Sequence, residues 1–255
     1  MSDGHLSGKH AVVTGGGRGI GAAIARALAQ HGATLTLMGR DRARLESRSR
    51  ELAAQPVTVD VADADSVAAA FEQATAASGA VHILVNNAGA AASAPFVRTD
   101  LGLWKQMLEI NLTGTYLCCK QALPGMLDSG FGRVVNIAST AGLTGYPFVT
   151  AYCAAKHGVV GLTRALALET ARCNVTVNAV CPGYTETDLL GDAIANIVRT
   201  TGKSEDEARA ALLSRNPQRR MMRPEEVANA ALWLCLPGSE AITGQAIAVA
   251  GGELL

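Results

Sequence analysis

Short runs of β-branched and other apolar residues alternate along the chain with longer stretches in which alanine and leucine recur at helical spacing. This alternation predicts a parallel sheet covered by helices on both faces. Runs such as VHILVNN and GRVVNIAS are almost wholly apolar until their last residues, which is typical of strands buried on both sides. The predicted strands span residues 11–14, 34–38, 57–60, 83–86, 133–137, 176–180 and 246–249.

Helical periodicity fills most of the segments between these strands, for example 20–31 and 67–77, and Gly32, Gly79 and Gly130 fall near the expected helix ends. We therefore predict one α/β domain over residues 1–255, with a Rossmann-like, doubly wound sheet of seven parallel strands. The alternation has one long break, between residues 184 and 223. Because that stretch is polar, charged and helix-prone, we interpret it as a substrate lid within the same domain.

The composition fits this architecture and narrows the classes of partner. Of the 255 residues, 49% are hydrophobic and 4% are aromatic, and 22 Lys and Arg balance 22 Asp and Glu. A formal net charge of zero does not favour a nucleic-acid partner. The densest basic stretch, residues 40–50, is interrupted by Asp41 and Glu46 and is typical of a solvated helix face, with Arg40 as a candidate exception.

Cysteine usage and hydropathy bear on the cellular compartment. None of the six cysteines forms a CxxC pair and no histidine stands at zinc-ligand spacing beside them, so we predict a reduced intracellular protein without a metal site. The N-terminal MSDGHLSGKH lacks the apolar core of a signal peptide. No segment approaches the ~18 consecutive apolar residues of a membrane span. We expect a cytoplasmic protein.

The first predicted strand leads through a glycine-rich turn, residues 14–21, directly into a helix. Glycines allow the backbone to approach a pyrophosphate, and a helix N-terminus offers free N–H groups to the anion. A plain glycine-rich loop is the alternative, but the position at the first crossover favours a dinucleotide site. The candidate contacts in the turn are Gly15, Gly17, Arg18, Gly19, Ile20 and Gly21.

The end of the second strand bears on the choice of cofactor. There a carboxylate suits the ribose 2′-hydroxyl of NAD, whereas an arginine suits the 2′-phosphate of NADP. The strand ends in Gly39 and Arg40, and Asp41 is better placed to cap the next helix. Arg18 is a candidate second cation for the phosphate. We therefore predict NADP(H) as the cofactor. The alternative is that both arginines are merely exposed, which leaves NAD(H) open.

Tyr152 and Lys156 are four residues apart, which places both side chains on one face of a helix. The pKa of a free tyrosine is about 10, too high for efficient acid–base catalysis at neutral pH. A neighbouring ammonium lowers that pKa, so we expect Lys156 to tune Tyr152. Such a pair is also common on helix surfaces. Ser139 supports the catalytic interpretation because it follows a predicted strand, at the edge where open α/β sheets bind ligands.

Six motifs occur in the order found in one family: the TGxxxGxG turn, Asn86-Asn87-Ala88-Gly89, Asn111, Ser139, Tyr152-Cys-Ala-Ala-Lys156 and Pro182-Gly183. The chain thereby resembles the short-chain dehydrogenase/reductase family over about residues 6–252. Stretches 175–183 and 242–246 look most like 3-oxoacyl reductases, 3-hydroxyacyl-CoA dehydrogenases and polyketide ketoreductases.

The resemblance implies a role for each matching residue. Tyr152 would be the acid/base, helped by Lys156 and the positive nicotinamide, while Ser139 would polarise the carbonyl and Asn111 would hold a water linking Lys156 to solvent. The implied cofactor contacts, besides Tyr152 and Lys156, are Asp60 and Val61 at adenine, Asn87, Ala88 and Gly89 at the adenosine ribose, and Pro182, Gly183, Thr185 and Thr187 at the nicotinamide. A homotetramer is also implied, and segment 159–171 would suit either its interface or a sheet-covering helix.

We therefore expect an NADP-dependent oxidoreductase acting on CH–OH donors, with a 3-oxoacyl or 3-hydroxyacyl thioester as the preferred substrate. An NAD-dependent dehydrogenase of a small, cyclic, sugar or steroid alcohol stays open. A non-catalytic nucleotide-binding regulator would be expected to lack Ser139, Tyr152 or Lys156. The lid carries basic residues that could attract CoA or an acyl carrier protein, partly opposed by acidic ones. These are Arg199, Lys203, Arg215, Arg219, Arg220 and Arg223 against Glu205, Asp206 and Glu207.

Overall fold

The computed structural model describes residues 4–254, and within them seven strands form a single parallel sheet. The strand order is β3-β2-β1-β4-β5-β6-β7, and every neighbouring pair is parallel. This confirms the predicted doubly wound sheet. The strands are β1 His10–Thr14, β2 Thr34–Gly39, β3 Gln55–Thr58, β4 Ile83–Asn86, β5 Gly132–Ile137, β6 Val175–Pro182 and β7 Ala246–Val249.

The third strand lies two residues earlier than predicted. The sequence indicated 57–60, whereas pairing with β2 begins at Gln55 and ends at Thr58. Asp60 has left the ladder, because its carboxylate accepts a hydrogen bond from Ala62 N and its own N–H donates to the Ser66 hydroxyl. Local side-chain bonding of this kind competes with strand pairing and turns the chain toward the next helix.

Nine α-helices fill the described part of the chain: α1 Gly19–Gln30, α2 Arg42–Leu52, α3 Ala64–Ser78, α4 Leu101–Leu108, α5 Gly114–Ser129, α6 Thr150–Thr170, α7 Asp188–Thr201, α8 Glu205–Leu213 and α9 Pro224–Trp233. A π-helical turn, Glu109–Thr113, joins α4 to α5. Asp41 caps α2 as predicted, since its carboxylate accepts from Arg44 N. Over residues 4–254, no helix has the length and apolar character needed to span a bilayer.

Successive residues of the buried strands point to opposite faces of the sheet. On β1, Val13 packs into the cluster formed with α1 and α9, whereas Val12 packs into the cluster formed with α3 and α5. Both valines are fully buried, and each such side chain stabilises the fold by roughly 1.5–3 kcal/mol. On α6, Val159 and Val160 pack beside β5 and β6, so this face of the helix covers the sheet. Leu168 of the same helix is 82% exposed.

The two ends of segment 184–223 are held together beside the sheet. Met222 N donates to Tyr184 O at 2.8 Å and Glu186 N donates to Met222 O at 2.9 Å, around a parallel bridge between Thr185 and Met222. Between these ends, α7 and α8 pack against each other through a small apolar cluster of their own. Its buried members are Leu190, Ile194, Ala208 and Met221.

Candidate active site

The crossover from one side of the sheet to the other brings the glycine turn and the Asn86–Gly89 segment together. β1 and β4 are neighbours, and their carboxyl ends carry Thr14 and Asn86. The Thr14 hydroxyl oxygen accepts from Asn87 N and Ala88 N, both at 3.0 Å, and Asn87 Nδ2 donates to Thr14 O at 3.0 Å. Open α/β sheets bind their ligands at this topological switch point.

The glycine turn leaves no room for side chains at several positions. A Cβ on Gly21 would overlap the Gly15 carbonyl oxygen and stand 2.5 Å from Asn87 Nδ2. Gly15 and Gly19 have positive φ values of 65° and 53°, which glycine adopts without strain. Because the first turn of α1 contains no acidic residue, its N–H groups and its dipole are available to an anion.

The predicted adenosine-side residues gather at the end of β2. Val59 N donates to Gly39 O at 2.9 Å, which brings Asp60 and the buried Val61 beside that strand end. Arg40 is exposed. Arg18 does not lie free, because its Nη1 donates to Asp188 Oδ2 at 2.7 Å. This contact with α7 was not apparent from the sequence.

Arg44 is a residue of this edge that the sequence analysis overlooked. Its Nη1 donates to the same Asp188 oxygen at 2.9 Å, and its Cβ lies 3.4 Å from the position of a Cβ built on Gly17. Arg44 lies in the first turn of α2, and its contact with Asp188 joins residues 144 positions apart, so no local spacing indicated it.

Tyr152 and Lys156 meet on α6 as predicted, but their electrostatics differ from the expectation. Lys156 Nζ lies 5.7 Å from the Tyr152 ring centroid and donates to Ile137 O at 2.9 Å. Burial raises the pKa of Tyr152 to about 12, and a hydrogen bond with Ser139 opposes only part of the rise. Burial also lowers the pKa of Lys156 to about 8. Within the chain alone, desolvation outweighs the expected lowering of the tyrosine pKa.

Ser139 and Asn111 lie on either side of this pair. Ser139 follows β5, and its hydroxyl oxygen accepts from Ala141 N at 3.1 Å. Asn111 is fully buried in the π-helical turn, and its Nδ2 donates to Ala90 O and Met107 O, both at 2.9 Å. A Cβ on Gly89 would stand 2.8 Å from Asn111 Oδ1 and 3.7 Å from Lys156 Nζ, so these residues converge. Single π-turns within helices are frequent at functional sites.

The segment after β6 carries the residues that were predicted to contact the nicotinamide. Thr185 Oγ1 donates to Gly183 O at 3.0 Å, and Thr187 Oγ1 donates to Thr185 O at 3.2 Å. The Thr187 methyl group lies 3.1 Å from the position of a Cβ on Gly19. The beginning of segment 184–223 therefore packs directly on the glycine turn.

A second polar cluster near Gly183 was not foreseen. The Tyr146 hydroxyl donates to Glu253 Oε1 at 2.6 Å and lies 2.8 Å from the Thr140 hydroxyl. Arg215 lies over the Tyr146 ring, 5.0 Å from its centroid. Glu253 is 8% exposed, and its Oε2 has no hydrogen-bond partner among residues 4–254. Tyr146 and Glu253 are 107 residues apart in the chain, and no local motif connects them.

A glycine turn at the switch point of a parallel sheet, with a partly buried tyrosine and a buried lysine across the crevice, is the architecture of a dinucleotide-dependent oxidoreductase. The chain belongs to the short-chain dehydrogenase/reductase family. A model of that family, described as Enoyl-(Acyl carrier protein) reductase, matches residues 15–253. The resemblance noted in the sequence is thereby confirmed.

Relatives of known function align over nearly the whole chain. The protein is 40% identical over 247 residues to the cis-4-hydroxycyclohexanecarboxylate dehydrogenase of Sinomonas cyclohexanicum, with 95% of each chain covered. It is 38% identical over 253 residues to the 3-oxoacyl-(acyl-carrier-protein) reductase of Aquifex aeolicus, which covers 97% of this chain and 98% of the relative. Its structure is similar to that of an actinorhodin polyketide ketoreductase variant crystallised with NADPH, at 38% identity, a TM-score of 0.93 and 98% coverage of both chains.

Proposed function

We propose that the protein is an NADP(H)-dependent ketoreductase that converts a 3-oxoacyl thioester to the 3-hydroxyacyl thioester. The observation that carries this proposal is the convergence of Ser139, Tyr152 and Lys156 at the carboxyl edge of the sheet, opposite the glycine turn. Similarity to an acyl-carrier-protein reductase and to a polyketide ketoreductase supports the substrate class.

The glycine turn fits a dinucleotide because its backbone is open where a Cβ on Gly21 would fill the cradle. We assign the pyrophosphate to this turn, adenine to the Asp60–Val61 edge, the adenosine ribose to the Asn87–Gly89 segment and the nicotinamide to Gly183, Thr185 and Thr187. When bound, NADPH supplies the hydride, and its oxidised nicotinamide brings a positive charge beside the phenol.

Tyr152 is suited to act as the acid in the direction of reduction. With its pKa raised to about 12 by burial, the phenol holds its proton at neutral pH. It can then donate that proton to the substrate oxygen as the carbonyl is reduced. Ser139 would donate a hydrogen bond to the same oxygen and orient it. In the reverse direction Tyr152 would have to lose a proton first, so oxidation should require a higher pH than reduction.

Lys156 and Asn111 would help to return a proton to Tyr152 after it has donated its own to the substrate. Because the pKa of Lys156 is lowered to about 8, its ammonium can release and regain a proton near neutral pH. Asn111 holds the Ala90 backbone beside Gly89, and Gly89 lies next to the ammonium. We assign Asn111 as a positioning residue of this relay.

A second candidate is the oxidation of a small cyclic or short-chain hydroxy acid. The observation favouring it is Arg215, whose guanidinium lies over Tyr146 at the edge of the Tyr146–Glu253 cluster. A guanidinium there could bind a substrate carboxylate through two parallel hydrogen bonds. The similarity to a hydroxycyclohexanecarboxylate dehydrogenase agrees with this alternative.

Steady-state kinetics with a 3-oxoacyl-CoA, 4-oxocyclohexanecarboxylate and a neutral cyclic ketone, each with NADPH and NADH, would decide between the candidates. We expect kcat/KM to be at least ~10-fold higher for the thioester with NADPH. A higher value for the carboxylate ketone, lost in Arg215→Gln, would establish the second candidate instead. No turnover with any pair would overturn both.

The family resemblance also supports a cytoplasmic homotetramer. Large apolar side chains lie exposed along the helices beside the site, which is typical of a protein–protein contact. They include Phe96, Leu101, Tyr116 and Leu168, exposed by 71%, 65%, 46% and 82%. Light scattering at micromolar concentration should give four times the chain mass, and Leu168→Lys should lower it if this face of α6 is an interface.

A further inference from the structure

Two arginines from distant parts of the chain converge on one carboxylate oxygen. Arg18 Nη1 and Arg44 Nη1 lie 2.7 Å and 2.9 Å from Asp188 Oδ2. Arg18 belongs to the glycine turn, Arg44 lies in the first turn of α2, and Asp188 is the first residue of α7. The three side chains are 58%, 48% and 57% exposed. Exposed ion pairs of this kind contribute little to the free energy of folding, so the arginines can exchange one anionic partner for another.

The converging arginines lie where the cofactor's 2′ group is expected. In this type of fold the end of β2 faces the adenosine ribose, and a nearby arginine accommodates a 2′-phosphate. Arg40 follows β2, Arg44 lies in the first turn of the next helix, and the Arg44 Cβ is 3.4 Å from the position of a Cβ built on Gly17 in the glycine turn. Two guanidiniums that share one anionic oxygen have the spacing to share a phosphate.

The charge on Asp188 is maintained under ordinary conditions. Hydrogen bonds from Arg44 and Arg18 hold the pKa of its carboxyl below the usual value, so it is ionised at neutral pH. A phosphate brought to the same two guanidiniums would meet a like charge at close range, which is unfavourable. The two anions therefore compete for the arginines.

We propose that Asp188 occupies the position of the NADP(H) 2′-phosphate between Arg18 and Arg44, which makes Arg44 a determinant of cofactor choice and Asp188 an internal competitor carried by the lid. The uncharged 2′-hydroxyl of NAD(H) cannot displace the carboxylate. Binding of NADP(H) thus releases the first turn of α7 from the two arginines, whereas binding of NAD(H) leaves it attached to them. This inference rests on the NADP(H) preference proposed above.

Calorimetry with adenosine 2′,5′-bisphosphate and 5′-AMP tests the competition without turnover. Asp188→Asn should bind the bisphosphate ~2- to 5-fold more tightly than the unaltered protein, the range of an exposed ion pair, and should bind 5′-AMP equally well. Arg44→Gln should bind the bisphosphate at least ~10-fold more weakly, since a charge-assisted hydrogen bond to phosphate is removed. Asp192→Asn, one helical turn farther along α7, is the control for a general loss of negative charge.

The alternatives predict different results. If Asp188 merely orients the two arginines for the phosphate, Asp188→Asn will weaken bisphosphate binding, and the inference is wrong. An equal gain in Asp192→Asn would likewise overturn it, because the effect would then be long-range. Equal affinity of the unaltered protein for the two nucleotides would instead refute the proposed NADP(H) preference. If the unaltered protein prefers the bisphosphate but Asp188→Asn does not bind it more tightly, only the proposed competition is refuted.

Hydrogen exchange gives an independent measure of the lid. Amides in the first turn of α7 should exchange faster when the bisphosphate is bound than when 5′-AMP is bound, and Asp188→Asn should show the faster exchange with either nucleotide. Slower exchange in this turn on binding the bisphosphate would contradict the proposed release.

Discussion

The ammonium of Lys156 donates to the carbonyl oxygen of Ile137 at 2.9 Å, and this bond ties α6 to the last residue of β5, two positions before Ser139. The phenol, the hydroxyl and the ammonium are therefore fixed to one another through α6 and β5. Rigid placement of this kind, combined with burial, sets both pKa values of the pair and leads to the first two predictions.

Tyr152→Phe should reduce turnover by at least ~100-fold, because it removes only the transferred proton. NADPH binding, measured by fluorescence titration, should stay within about 2-fold, since the aromatic ring and its packing are retained. Tyr116→Phe on α5, which removes a phenol hydroxyl away from the site and keeps the apolar ring, is the matched control and should leave both quantities unchanged. A Tyr152→Phe enzyme with near-normal turnover would rule out the proposed acid.

Lys156→Met should stabilise the protein at neutral pH while abolishing activity. Burial lowers the pKa of Lys156 to about 8, so below that pH the fold must bear a buried charge, and removing it should raise the free energy of unfolding by about 1–2 kcal/mol. The unfolded chain binds the proton up to about pH 10.4, so the original protein gains stability as pH rises from 8. Urea unfolding should show a smaller difference in free energy of unfolding between Lys156→Met and the original protein at pH 10 than at pH 7. A variant less stable at pH 7 would contradict this account.

His10 should make the fold sensitive to mild acid. Burial lowers the pKa of His10 from 6.5, and its two ring nitrogens lie 2.9 Å from Gly79 O and from the Thr36 hydroxyl. The unfolded chain therefore takes up a proton that the folded chain resists, and stability is lost as pH falls below 6.5. Urea midpoints between pH 7.5 and 5 should fall more steeply for the original protein than for His10→Gln. Parallel slopes would show that other groups dominate.

Arg219→Gly should stabilise the protein. Arg219 has a φ of 54°, a left-handed conformation that costs a residue with a side chain roughly 1–2 kcal/mol. The flexibility of glycine in the unfolded chain offsets roughly 0.5–1 kcal/mol, so the net gain should be about 0.5–1 kcal/mol. Thermal unfolding measures it, with Arg219→Ala as the control that removes the charge but keeps the strain. If the two variants had equal effects, the destabilisation would come from the guanidinium and not from the backbone conformation.

Features encoded by neighbouring residues were predictable, and those created by long-range packing were not. The strand–helix alternation, the glycine turn and the spacing of Tyr152 and Lys156 depend on local pattern, so the sheet and the central pair could be predicted. The contacts of Asp188 with Arg44 and of Glu253 with Tyr146 join residues 144 and 107 positions apart. The raised pKa of Tyr152 was also missed, because spacing shows which groups are neighbours but not how much water surrounds them.

The lid's basic residues illustrate the same limit. Arg220 forms an ion pair with Glu226 at 2.6 Å, and Arg223 lies 3.8 Å from the same carboxylate. Arg209 is likewise paired with Glu205 within α8. Part of the positive charge that the sequence offered to a phosphate-bearing carrier is therefore already neutralised by the fold.

Segment 184–223 has its own apolar cluster, and its ends are joined by backbone hydrogen bonds between Tyr184, Glu186 and Met222. Leu190, Ile194, Ala208 and Met221 form a cluster separate from the clusters packed around the sheet, so substitutions among them should alter this segment and leave the main core unchanged. The sequence of this segment can thus diverge without disturbing the packing that positions Ser139, Tyr152 and Lys156 beside the sheet.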